Sequence, residues 1–456
     1  MVTKNYFTFI LSLSLLTIVT LVSISLFPNY SFLPLIGTII VFILLLVFYY
    51  SNLSITTFLI LLCILPFVYL NDEITYSLEY TLLVDIPVLL FFLWFFINFL
   101  MKEDRFIIKK NNIIYPVILL SGYTIFLAIV GIMKGNGVVL ILTEMYHFSN
   151  FASVIPVLFL LKKQKDYELV FNFLIFVSVF VSIEYIFLNI NANGRINSFQ
   201  NAFFPFPFGL LISMILFYPK DKRKLMISII SLLILISGAF VIKTRLLWVC
   251  LFITLFIMLF IYFSKFSKSK DTFKKYFILS LFILIPITLL TNFKGDNNLV
   301  NIPLGTEERF KSLSNPTADL SFLMRIEISY YATRKFIESP LIGEGLGGKL
   351  RLKILGTAQF VFIDNSWLYF LWKGGIVLFI LIIWIFIKTF KNFFYLLKNS
   401  HENYTISVSI ASIASLISYI IYGLFSANLI AYKMTFFYGI IFAYSEFEKR
   451  KLEDPI

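Results

Sequence analysis

KTRLLWVCLFITLFIMLFIYFSKFSKSKDTFKK, residues 243–275, decides the class of fold. Its centre, 246–263, carries no charge and is close to the roughly 20 apolar residues a helix needs to cross hydrocarbon. Lys265, Lys268, Lys270, Lys274 and Lys275 crowd one side of that run, while Arg245 and Lys243 stand alone on the other. A greasy helix with a cationic cluster at one end reads as a membrane span whose clustered end faces the cytoplasm.

Comparable runs recur along the 456 residues, near 6–27, 32–50, 53–70, 82–100, 113–133, 138–161, 168–190, 200–218, 225–242, 276–291, 366–387, 404–425 and 428–446. With 246–263 they make fourteen expected spans. The second and third, and the last two, could instead be re-entrant hairpins. The chain is 59% hydrophobic and only 14% charged, against about 25% charged in a soluble domain. That balance predicts an all-α polytopic membrane protein, one membrane domain over 1–456. The net charge of +13 belongs with cytoplasmic loops facing anionic lipid, not with nucleic acid. Cys63 and Cys250 both lie in apolar runs, so neither a disulfide nor a zinc site is expected. The first run is long for a signal-peptide core and is read as a retained span.

The lysine and arginine clusters follow the fourth, sixth, eighth, tenth, twelfth and fourteenth runs, around 102–110, 162–165, 220–224, 265–275, 388–398 and 449–451. Every cluster comes after an even-numbered span, which places both termini in the cytoplasm. The odd-numbered loops then face outside. One is long and polar, residues 292–363, between the eleventh and twelfth spans. It holds an amphipathic helix signal. Asp319 or Ser321 can cap it, Leu323, Ile326, Tyr330 and Ile337 form a stripe, and Pro340 ends it. Such a helix is expected to lie at the outer membrane face.

Cations on the outer side oppose the general trend, so they mark candidate sites. Arg245 and Lys243 sit where the positive end of a helix dipole already disfavours them. A bound phosphate would relieve this; snorkelling to lipid headgroups is the alternative. Arg195 stands in NGRINSFQNAFFPF with Asn197, Ser198, Gln200 and Asn201, neutral groups suited to sugar hydroxyls. The external segment supplies Arg325, Arg334 and Lys335, then ESPLIGEGLGG, whose glycines permit close backbone approach or serve as a connector. DNSWLYFLWKGG follows, where Asp364 reads as a general base, a helix N-cap, or both. Within the spans, Glu144 and His147 share a helix face and are expected to pair with each other. Glu184 lies near the outer end of the seventh span. Intramembrane ionisable groups are functional candidates.

In order, GRINSFQNA, TRLLW, Arg325 through ESPLIGEGLGG, and DNSWLYFLWKGG resemble segments of the O-antigen ligase/polymerase family of bacterial membrane glycosyltransferases, over roughly residues 195–380. The ligases usually have His where this chain has Asp364, and an acidic residue there is similar to polymerases and to capsular or teichuronic-type assembly proteins. The resemblance implies a GT-C-like architecture and a metal-independent enzyme of the bacterial inner membrane. It would need no cofactor and would polymerise undecaprenyl-diphosphate-linked repeat units at the outer face. It implies Arg195, Arg245 and Arg325 as diphosphate-binding, Asp364 as catalytic with Glu184 in reserve, and Asn201, Asn365 and Arg334 as glycan-binding. Membrane lipid and the polyprenyl-linked glycan would be partners, together with a chain-length regulator and a flippase. A ligase with another acceptor is the first alternative. A lipid-linked oligosaccharide flippase is the second, although such a transporter should show two similar halves.

Overall fold

The computed structural model describes residues 60, 88, 90–96, 98–100, 113–191, 203–217, 221–241, 245–266, 320–351, 359–360 and 362–453. The expected spans 6–27, 32–50 and 276–291 lie outside the described residues, as does nearly all of 53–70. The regular structure among the described residues is helical apart from one two-residue antiparallel pairing, β1 (Leu350–Arg351) with β2 (Gln359–Phe360). Among the described residues, seven helices are long and apolar enough to cross a membrane. The protein is an all-α, membrane-embedded chain.

Packing divides it into two compact units, Met1–Phe106 with Phe159–Val177, and Ile107–Leu158 with Ser178–Ile456. In the first, the apolar helix Leu90–Leu100 sets Phe95 and Phe99 against the ring of Phe159, at 5.4 and 6.1 Å. Tyr167 and Phe171 are wholly buried in the same unit.

The second unit holds the candidate site. Its helices are α1 (Ile114–Met133), α2 (Val138–Ser149), α3 (Val154–Leu160), α4 (Gln164–Asn191), α5 (Pro205–Phe217), α6 (Lys222–Val241), α7 (Arg245–Phe266), α8 (Leu320–Glu338), α9 (Ser366–Asn399), α10 (Asn403–Tyr422) and α11 (Tyr432–Glu453). The first turns of α4 and the end of α3 belong to the other unit. At the centre stands α10, packed on α5, α7 and α9 and buried along most of its length. Its serines face neighbouring helices, and Ser418 bonds Thr254 Oγ1 at 2.7 Å on α7. Small residues let these helices close on each other, as membrane bundles require without a hydrophobic drive between them.

Three spans differ from the sequence expectation. The run 138–161 is interrupted by a 3-10 turn, Asn150–Ser153. Pro156 lies just beyond; it has no N–H for the carbonyl of Ala152 and its ring crowds that oxygen. Of the run 200–218, the described residues form the 13-residue α5, about 20 Å of helix. Pro205 starts it, as proline suits a first helical position. The run 366–387 extends to 34 residues but is broken at Gly375, whose φ of 63° and ψ of −164° are not helical. A half-helix, 366–374, therefore precedes the long segment 376–399.

Candidate functional site

The site is organised around the break in α9. An unbroken helix would bond Ile376 N–H to the Trp372 carbonyl and Val377 N–H to the Lys373 carbonyl. Here the loop that follows α8 takes over both pairings. Ile376 donates to the Pro340 carbonyl at 2.9 Å and Val377 to that of Leu341 at 3.5 Å. The carbonyls of Trp372 and Lys373 accept from Glu344 and Gly345 N–H, each at 2.9 Å. The next freed carbonyl, Gly374, accepts from the Tyr123 hydroxyl at 2.8 Å. Trp372, Lys373, Ile376 and Val377 thus keep backbone partners across the kink, as an apolar bundle favours.

Glycine makes this docking possible. A Cβ at Gly375 would overlap the Leu341 carbonyl, and a Cβ at Gly131 on α1 would overlap that of Leu346. Leu346 N–H donates to the Leu127 carbonyl at 3.1 Å, so the loop also rests on the end of α1. Asn136, in the turn after α1, donates to Leu346 O at 2.8 Å.

A buried ion pair closes the assembly. Lys373 Nζ lies 2.6 Å from Glu144 Oε1, with neither side chain exposed. The same ammonium donates to the Gly348 carbonyl at 2.5 Å and stands 4.1 Å from the centroid of the Trp372 ring. The other carboxylate oxygen, Oε2, accepts Gly347 N–H at 2.6 Å. Charge, hydrogen bonds and the aromatic face together compensate the removal of both ions from water. This corrects the expected Glu144–His147 pairing. The two do share a face, but Glu144 meets a full opposite charge from α9. His147 instead bonds the Ile430 carbonyl through Nδ1 at 2.7 Å and lies against the ring of Phe362, centroids 5.2 Å apart.

At its other end the half-helix 366–374 is equally fixed. Asn365 caps it, accepting from Leu368 N–H at 3.0 Å. Ser366 N–H donates to the Gly423 carbonyl at 2.8 Å, its hydroxyl donates to the Ser426 carbonyl at 2.7 Å, and Trp367 Nε1 donates to that of Ile420 at 2.9 Å. Immediately before the cap, Asp364 Oδ2 accepts from Arg325 Nε at 2.7 Å. Both side chains are about half exposed, so the pair faces outward from a rigid base. Phe362, partly exposed, stacks on the buried Tyr369 at 5.8 Å and an interplanar angle of 15°.

Of the residues singled out from sequence, Arg325, Asp364 and Asn365 are thus brought together. Arg334 is not. It lies about two and a half turns along α8 from Arg325, on the opposite side of the helix, 3.8 Å from Glu338. Glu184 is half-buried near the end of α4 and makes no hydrogen bond or ion pair among the described residues. Arg195 and Asn201 lie outside the described residues. Arg245 is the first residue of α7, as its reading at a span start required, with its side chain outside what is described. Sequence reasoning passed over Lys373, although the rule that flagged Glu144 applies equally to a lysine within an apolar run.

A second charge cluster ties α8 to the loop. Glu344 lies 3.7 Å from Lys335 and 3.9 Å from Lys134, and Lys335 bonds Glu338 at 2.8 Å. The Glu338 hydrogen bond, chiefly, holds Lys335 above its ordinary pKa, with Glu344 adding to it. The same bond holds Glu338 below the usual carboxylate value. Among the described residues no three His, Cys, Asp or Glu side chains group as metal ligands. No protein-family model matches this chain, and no curated protein matches it.

Proposed function

We propose that this protein is a metal-independent membrane glycosyltransferase that polymerises undecaprenyl-diphosphate-linked oligosaccharide repeat units at the outer face of the bacterial cytoplasmic membrane. The observation that carries the reading is the Arg325–Asp364 contact. Two segments that resemble glycosyltransferase motifs, 39 residues apart, meet as an outward-facing ion pair on a capped half-helix. In this reading the chain spans the membrane fourteen times in a GT-C-like arrangement, with both termini cytoplasmic and residues 292–363 outside.

The chemistry asks little beyond placement and charge. The acceptor hydroxyl oxygen attacks the anomeric carbon of the donor. The bond from that carbon to the diphosphate oxygen breaks, and undecaprenyl diphosphate leaves with the electron pair. Arg195 and Arg245 hold that diphosphate, as guanidinium forks suit it. Asp364, oriented by Arg325, takes the hydroxyl proton or aligns the hydroxyl through its second oxygen. The ion pair changes the role first read for Arg325, from a diphosphate ligand to the residue that aims Asp364.

The test is polymerisation in vitro from a purified lipid-linked repeat unit. Arg245→Ala should abolish chain elongation, and wild-type elongation in that variant would remove the diphosphate assignment. Asp364→Asn should slow turnover more than donor binding. The two broken helices and their buried ion pair also suit a transporter, so a lipid-linked oligosaccharide flippase is the second reading. Transbilayer movement of the lipid without any new glycosidic bond would favour it. Transfer of a finished chain to a different acceptor would favour the ligase.

A further inference from the structure

Four backbone groups at the α9 break have two sets of partners within reach of the same chain. The amides of Ile376 and Val377 and the carbonyls of Trp372 and Lys373 are bonded to the loop, yet they could bond one another in a straight helix. Half-made intermediates would leave polar backbone unpaired in an apolar bundle, so bent and straight are the two arrangements that keep these four groups paired. Backbone bonding favours the bent form, since straightening would strip the Pro340 and Leu341 carbonyls and the Glu344 and Gly345 amides of these partners. Side chains add to that preference. In the bent form Lys373 and Glu144 satisfy each other and grip the loop at Gly347 and Gly348. Straightening would bring Gly375 to ordinary helical dihedrals, expel the loop, and separate two wholly buried charges.

We propose that Glu144 and Lys373 are positioning residues. They hold α9 bent and the glycine loop docked, and thereby hold Asp364 and Asn365 where the half-helix presents them. The claim about the bend stands on the geometry; the claim about the site rests on the glycosyl-transfer reading above.

The experiment uses the full-length protein with Cys63→Ser and Cys250→Ala, and Leu346→Cys as a reporter. Leu346, within the docked loop, is fully buried, whereas Leu341 is 65% exposed, so Leu341→Cys serves as a control for folding. Leu346→Cys should react slowly with a membrane-impermeant maleimide. Lys373→Met, and independently Gly375→Ala, should raise that rate on the order of 100-fold, the scale set by stranding one member of a buried pair. The Leu341→Cys rate should not change. The double variant Glu144→Gln/Lys373→Met, in which no charge is stranded, should return labelling to within about tenfold of the parent. Unchanged labelling in both single variants, or a double variant as reactive as Lys373→Met, would overturn the role of the pair. In polymerisation assays Lys373→Met should lower kcat with little change in KM, and the double variant should recover part of it. Raised labelling with unaltered kcat would sink the positioning claim. A parent protein that forms no glycosidic product would end the glycosyl-transfer reading and its positioning half together, while the labelling still decides the bend.

Discussion

Asp364 and Arg325 are joined by a hydrogen bond, and a shared role in the proposed chemistry is testable at the level of two side chains. The pair is half exposed, so its worth to stability is small, about 0.2–1 kcal/mol. Its worth to chemistry should be larger. Asp364→Asn and Arg325→Ala should each lower kcat by about 10²-fold, the lower end for a positioned acid–base group. The double variant should be little worse than either alone, because residues in contact do not contribute independently. Additive losses in a double-mutant cycle would separate their roles. Glu144 presents the opposite balance. Glu144→Gln strands the Lys373 ammonium in the core, and the expected loss is about 3–5 kcal/mol. Thermal unfolding of the purified protein, compared with the Glu144→Gln/Lys373→Met double variant, checks that figure.

At the scale of elements, the half-helix and α8 matter because they are anchored from outside themselves. Nine residues of helix, 366–374, are too few to be stable alone. Their cap and their bonds to 420–429 supply what length does not. Asn365→Ala should cost about 1 kcal/mol, as loss of an N-cap typically does, and should loosen the Asp364–Arg325 contact. Asn365→Asp should keep the cap; hydrogen exchange over 366–370 distinguishes the two. The last turn of α8 has its own pH window. Glu338 is held below its unfolded pKa, so its contribution is present above about pH 4.3 and is lost as pH falls through the lower folded value. Lys335 is held above its unfolded pKa, so its contribution is present below about pH 10.4 and is lost as pH rises through the higher folded value. A spin label at Ile337, an exposed residue of that turn, should be least mobile between those limits. Uniform mobility across the range would show that the turn does not depend on these charges.

For the whole molecule, the prediction is orientation. With both termini inside and 292–363 outside, green fluorescent protein fused at the C-terminus should fluoresce. Alkaline phosphatase inserted in the long loop should be active only if that loop is exported. Any other pattern refutes the fourteen-span reading, because one missing span inverts everything after it. The same scale explains the stripe on α8. Ile326, Tyr330 and Ile337 point outward while Ile328 and Ala332 are buried, and α8 packs on α9. A helix with an apolar stripe left uncovered beside a membrane-embedded bundle fits one lying at the lipid surface.

Much of this was legible without coordinates. Length and apolarity of the runs determine a helical membrane protein, because a bilayer admits no other open-chain solution for backbone polar groups. The amphipathic helix, its stop at Pro340 and the helix start at Arg245 follow from local chemistry in the same way. Tertiary structure alone decided the pairing of Glu144 with Lys373, 229 residues apart, of Arg325 with Asp364, and of the glycine loop with the α9 break. Two adjacent glycines at 374–375 permit a kink but do not specify one. The break exists because a distant loop supplies the hydrogen bonds a straight helix would have made, and no local pattern carries the identity of a partner brought near only by packing.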